Sequence, residues 1–369
     1  MASRLPESGA AINPYSPQSG TRFSVCRSLR ERRRRRQGLV GSGRDARGVH
    51  DLARVHRILV VVDPAATEQP AVARGASVAR RLGMELRLLA CMHGGLPARL
   101  PRSADPQEVR RALLRRQLGV LQRLARDCTG VEVTMNAVWD RPLHEAIIRE
   151  TLRSEPQLVM KESTYHPTIA RALVTHTDWQ LIRDCPAPLW LVRGASWDDA
   201  PRVVAFVDPT HEHDKPADLD RHILDEACTL ATGLGGEAHA VHCHDGSALF
   251  ATAGGPAVGA EIEALGAELQ AEHAARLRDL AAARGIDAAR AQLRSGPAAE
   301  AIPAAARQLD AQLAVMGAVA RSRLQDAILG HTAEQVLDRL HCDVLVVKPK
   351  RFESPVTYRP QATDFMELH

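Results

Sequence analysis

The chain has 369 residues, a formal net charge of +4 and only 3% aromatic residues. That length suggests two domains, each large enough to bury its own core, and the scarcity of aromatics argues against a base-stacking nucleic-acid platform. Nothing approaches a run of ~18 apolar residues, so no membrane-spanning helix is expected.

The first stretch, 1–54, is rich in Pro, Ser, Gly and Arg and has no hydrophobic periodicity, so it is expected to be disordered. Residues 1–50 hold eleven arginines against Glu7, Glu31 and Asp45, which leaves the remainder net acidic. A nucleic-acid arm, a nuclear signal and an Arg-rich transit peptide are open readings of this block. A mis-set translation start is the preferred one. The whole chain has 44 Arg against four Lys, a bias of GC-rich coding DNA, and Val49 or Val55 could be the start. Seven cysteines, at 26, 91, 128, 185, 228, 243 and 342, show no CxxC spacing, which fits a reduced, cytoplasmic protein.

From Arg57 onward the chain repeats itself in order. Arg57-Ile-Leu-Val-Val-Val-Asp-Pro64 recurs as Arg202-Val-Val-Ala-Phe-Val-Asp-Pro209. Arg141-Pro-Leu-His-Glu-Ala-Ile147 recurs as Gly296-Pro-Ala-Ala-Glu-Ala-Ile302, and Leu158-Val-Met160 as Ala314-Val-Met316. Thr175-His-Thr177 recurs as Gly330-His-Thr332, and Leu189-Trp-Leu-Val-Arg193 as Val344-Leu-Val-Val-Lys348. Such an ordered series indicates duplication, with a first domain over 55–196, a second over 200–350 and a tail over 351–369. In the second copy, strands are predicted at Val203–Val207, Ala238–Cys243, Ala289–Leu293, Leu313–Met316 and Val344–Val347. The clearest helices are Ile262–Ala283 and Ala333–Leu340. Ser247–Pro256 reads as an inserted loop. Strands apolar on both faces and joined by helices imply α/β domains, each a doubly wound five-stranded parallel sheet.

Ligands of such sheets bind beyond the carboxyl ends of the strands. Asp208 and the segment from Met316-Gly317 to Gly330-His331-Thr332 fall there in the second copy; Asp63 and Lys161–Thr177 fall there in the first. Small residues that expose backbone N–H groups before a helix N-terminus suit a phosphate. Thr332-x-x-Gln335 and Thr177-x-x-Gln180 also read as capping boxes, which would merely start a helix. Asp63 is read as a cap of the following helix.

Two stretches carry a wider resemblance. Thr175-His-Thr-Asp-Trp-Gln-Leu-Ile-Arg-Asp-Cys-Pro-Ala-Pro-Leu-Trp-Leu-Val192 and Leu329-Gly-His-Thr-Ala-Glu-Gln-Val-Leu-Asp-Arg-Leu-His-Cys-Asp-Val-Leu-Val-Val-Lys-Pro349 resemble the two domain endings of tandem universal stress proteins, over about Arg57 to Pro349. The resemblance implies two domains of the adenine nucleotide alpha hydrolase-like fold, packed on each other. It implies a stress-response protein that supports survival of starvation or DNA-damaging agents by binding a ligand or protein partner rather than by catalysis. ATP-binding members carry Gly-x2-Gly-x9-Gly-(Ser/Thr) and an Asp after the first strand. Here Gly317 and Gly330 match the first and third glycines, Ala320 replaces the second, His331 replaces the hydroxyl residue, Asp208 matches the Asp, and Val241 falls at an adenine contact. In the first copy Lys161, Thr164 and Thr175 take all three glycine positions, so ATP is expected in the second domain only. If the second glycine needs φ > 0, Ala320 costs roughly 1–2 kcal/mol. An ATP-binding, slowly hydrolysing switch and a carrier of an apolar or nucleotide-linked metabolite are the alternative functions.

His211 and His213 after the first strand of copy two, and His242 and His244 at the end of its second, could approach one another as zinc ligands. Packed or solvated histidines are the preferred reading. Trp179 and Trp190 are expected in the core. No nucleophile elbow or Walker Gly-Lys-(Ser/Thr) is present, so no catalytic residue is assigned. Neither a membrane nor a nucleic acid is expected as partner of the folded part.

Overall fold

The computed structural model describes residues 56–94, 105–166, 171–193, 197–210, 218–245, 259–317, 331–358 and 364–368. The Arg-rich segment 1–54, His211, His213, the Ser247–Pro256 loop, Ala320 and Gly330 lie outside the described residues.

The first domain runs β1 (Arg57–Val62), α1 (Pro70–Leu82), β2 (Glu85–Met92), α2 (Pro106–Asp127), β3 (Val133–Trp139), α3 (Leu143–Ser154), β4 (Leu158–Glu162), a hairpin of β5 (Thr164–His166) and β6 (Arg171–Leu173), α4 (His176–Asp184) and β7 (Leu189–Val192). The second runs β8 (Arg202–Phe206), α5 (Leu219–Gly233), β9 (Glu237–His244), α6 (Gly259–Ala282), β10 (Ala291–Ser295), α7 (Ala298–Gln308), β11 (Leu313–Gly317), α8 (His331–Arg339) and β12 (Asp343–Val347); β13 (Asp364–Leu368) follows. Local chemistry sets the helix ends. Pro70 occupies the first turn of α1, where a missing N–H is harmless, and Gly83 closes that helix at φ 64°. Asp105 caps α2 by accepting the N–H of Gln107 at 2.9 Å.

Each domain contributes five parallel strands, in the order 3-2-1-4-7 and 10-9-8-11-12. The two sheets fuse: β7 and β12 pair antiparallel, with Trp190 opposite Leu345. Those two residues are each other's repeat equivalents, so a pseudo-two-fold axis passes between them. The antiparallel junction points the carboxyl edges of the two half-sheets in opposite directions. Duplication extends to small contacts. The Gln157 N–H donates to the Arg57 carbonyl at 3.0 Å, as the Gln312 N–H does to that of Arg202. Glu155 and Asp310 both turn the chain at positive φ, 43° and 47°.

Two apolar layers, one on each face, run through both domains. The junction is also tied by side chains. The indole of Trp190 and the backbone N–H of Arg193 donate to the two oxygens of buried Asp343, at 3.0 and 2.8 Å, and Arg74 pairs with it at 3.2 Å. Arg193 donates to the carbonyls of Leu337 and Leu340 at the end of α8. Its repeat equivalent Lys348 donates to those of Ile182 and Arg183 at the end of α4. Each domain thus caps the helix end of the other with a cation, where the last carbonyls lack partners.

The segment after Pro349 is more than a tail. Its strand β13 pairs antiparallel with β3 and covers that edge of the first domain. The sequence reading missed it because five residues carry too little pattern to register as a strand.

Candidate functional site

In the second domain the carboxyl edge is formed by the ends of β8, β9 and β11. Asp208 follows β8 and is buried; its backbone N–H donates to Asp220 of α5 at 3.0 Å, and Thr210 donates to its carboxylate at 2.9 Å. Gly317 ends β11 beneath α5. A Cβ there would lie 2.8 Å from the Leu219 side chain, so this glycine lets α5 sit close over the strand end whether or not a ligand is bound. Met316 is core. Val241 is fully buried, and its carbonyl accepts the Val207 N–H at 3.0 Å. His331 and Thr332 open α8, but their side chains, like Ala320 and Gly330, fall outside the described residues.

The same edge of the first domain is filled from within. Lys161, at the position of Gly317, pairs with Asp178 at 2.8 Å. Asp178 is the third residue of α4 and wholly buried; it accepts the Thr175 N–H at 2.9 Å, while Thr175 Oγ accepts its own N–H at 3.2 Å. A carboxylate therefore sits where the helix dipole and free N–H groups would draw a phosphate. The capping box is Thr175–Asp178, not Thr177–Gln180. In the second domain Ala333 stands where Asp178 does, so that helix start carries no internal anion at this position. Asp63 does not cap α1 either: Gln69 precedes the helix, and Asp63 closes a turn onto the Ala65 N–H at 2.9 Å.

His242 and His244 project from one face of β9 toward α6, and both are buried. His242 Nδ1 lies 3.0 Å from the Val207 carbonyl, to which it donates, and its Nε2 shares a hydrogen bond with His273 Nδ1 at 2.8 Å. The rings of His244 and His273 lie 4.1 Å apart. Both nitrogens of His242 are thus engaged. Among the described residues no three His, Cys, Asp or Glu side chains converge in a way that could hold a metal ion. Sequence reading missed His273. Its signal was the spacing with Leu277 and Ala281, the other buried residues on that face of α6. Trp190 is fully buried, and Trp179 packs against the core layer from α4.

Burial raises the thiol of Cys342 to about 12 and pushes Cys185 up, away from the thiolate a redox sensor needs. No helix among the described residues is long and apolar enough to cross a membrane.

Comparison with known proteins agrees with this architecture. The model of the universal stress protein family matches residues 54–193 and again 213–348. Universal stress protein E of Photorhabdus laumondii is 27% identical over 312 residues, covering 83% of this chain and 98% of that protein. The Escherichia coli K12 protein of the same name is 27% identical over 319 residues, covering 85% and 100%. A solved structure of a functionally unknown protein from Pseudomonas aeruginosa PAO1 superposes with a TM-score of 0.59 at 29% identity, over 81% of this chain and 94% of that one.

Proposed function

The chain belongs to the universal stress protein family, and from that premise we propose that it acts in stress resistance by binding, with one anion-accepting ligand site per chain, in the second domain. The observation that carries this is the asymmetry of the two carboxyl edges. One is closed by the Lys161–Asp178 pair; the other has Gly317 and Ala333 at those places, beside buried Asp208. An adenine nucleotide suits it: phosphates at the start of α8, and Asp208 placed to accept from a ribose hydroxyl. The first domain is then a scaffold that completes the core. The reading includes a cytoplasmic location and service against starvation or DNA damage.

Equilibrium dialysis with labelled ATP tests it. Binding of one ATP per chain is expected, abolished by Ala333→Asp, which places a carboxylate where Asp178 closes the first domain's edge, and strengthened by Ala320→Gly. No binding at millimolar ATP by the wild-type chain and by Ala320→Gly alike would sink the nucleotide reading. Stress survival of cells carrying only the Ala333→Asp protein tests whether the site matters to the role.

A further inference from the structure

At the edge of β3 a buried cation meets an acidic residue of the last strand. Arg87 of β2 is buried, its side chain 4% exposed, and it holds two carboxylates: Glu150 of α3 at 2.6 Å and Glu367 of β13 at 2.5 Å. Asn136, opposite Glu367 in the ladder, donates to Glu150 at 3.0 Å. Arg153 also lies 3.9 Å from Glu367 and pairs with Glu150. Burial opposes the charge of Arg87, and the two carboxylates together outweigh it, so its pKa is raised. Without Glu367, two guanidinium groups share Glu150 at a largely buried site, an arrangement that asks for another anion. The opposite face of the strand reads something else: Met366 packs against Leu114, Ala137 and Trp139. Main-chain pairing plus alternate pockets of different chemistry is the pattern of strand addition.

Among the described residues the second domain shows no counterpart: His239 holds the register position of Arg87, and β10, the equivalent of β3, carries no further strand.

We propose that the β3 edge is a strand-addition site for an extended segment bearing an acidic residue, filled here by the chain's own C-terminal strand and, between molecules, by that of a second copy. The connector spans the distance to the chain's own edge. β13 lies six strands from β12 in the sheet, about 30 Å across, plus one strand length along it. Residues 348–363 can extend to roughly 50 Å. The same strand can therefore reach its own edge with slack, and exchange replaces like contacts with like, so concentration decides between the two forms.

A fluorescent peptide with the sequence of residues 359–369, titrated into the full chain, tests this. The full-length Glu367→Lys variant, whose own strand cannot pair with Arg87, is expected to bind the peptide about tenfold tighter than wild type does, the worth of one charged hydrogen bond. The peptide should slow exchange of the β3 amide protons, and a peptide with Glu367→Lys should bind neither chain. Two differently tagged wild-type populations, mixed at high concentration, should form mixed dimers that excess peptide dissolves. Glu367→Gln serves the same comparison should the lysine variant not fold. Three outcomes overturn the proposal: no peptide binding to a cooperatively folded variant, binding indifferent to the charge swap, or mixed dimers that are absent or persist in excess peptide.

Discussion

At the scale of single residues, some buried ions close a site and others fasten the halves. Asp178 closes one. Its carboxylate serves Lys161 and the first turn of α4 at once, so Asp178→Ala leaves a partly buried ammonium without its partner and removes half of a capping box. A loss of about 3 kcal/mol is expected, read as a lower urea midpoint at unchanged slope. Lys348 fastens. Burial lowers its ammonium to about 8, against ~10.4 for an unfolded lysine. Between those values the unfolded chain binds more protons than the folded one, so stability rises with pH through the window; below it the full cost of burying the charge persists. Urea unfolding at pH 7.5, 9 and 10.5 should show that rise, and Lys348→Met should remove that part of it. A flat wild-type profile would mean that the two carbonyls it donates to, Ile182 and Arg183, offset its burial entirely.

Among the elements, close approach decides what a position tolerates. Gly75 lies in α1, where an added Cβ would meet Val60 Cγ2 at 2.6 Å and Leu86 Cδ1 at 3.2 Å. Both belong to strands held in the sheet, so Gly75→Ala should cost about 1–3 kcal/mol by forcing the helix off it, despite alanine's better helix propensity. Thermal unfolding of the variant checks the sign. The strands and helices that bury two-sided apolar runs, Ile58–Val62 or Val344–Val347, were legible in the sequence because burial on both faces leaves no other reading. What stayed hidden depended on contacts between distant segments. The hairpin Thr164–His166 with Arg171–Leu173 lies against α8 of the other domain. β13 is held to the β3 edge by Arg87, far away in sequence. At the candidate site, Asp208 and Gly317 were legible from their place after strands. The internal anion was not, since a Thr-x-x-Asp cap two residues earlier looks no different in sequence from the Thr-x-x-Gln one.

For the molecule as a whole, the junction determines how many folding units there are. Both apolar layers cross it, β7 and β12 share a ladder, and Arg193 and Lys348 each cap a helix in the opposite half. Separating the halves would expose fully buried Trp190 and Leu345 and strand the Asp343 carboxylate. Independent domains with a small polar contact would instead melt apart. One cooperative transition is therefore expected by calorimetry, with calorimetric and van't Hoff enthalpies equal. Asp343→Ala sharpens the test. It removes a partner of Arg74 and the acceptor of the Trp190 indole and of the Arg193 backbone N–H, a loss of about 3–5 kcal/mol, and it touches both halves equally. If the chain is one unit, that variant lowers the whole transition without dividing it. Two resolved transitions, with only one moved by the substitution, would show that the fused sheet is a contact between two separately stable domains.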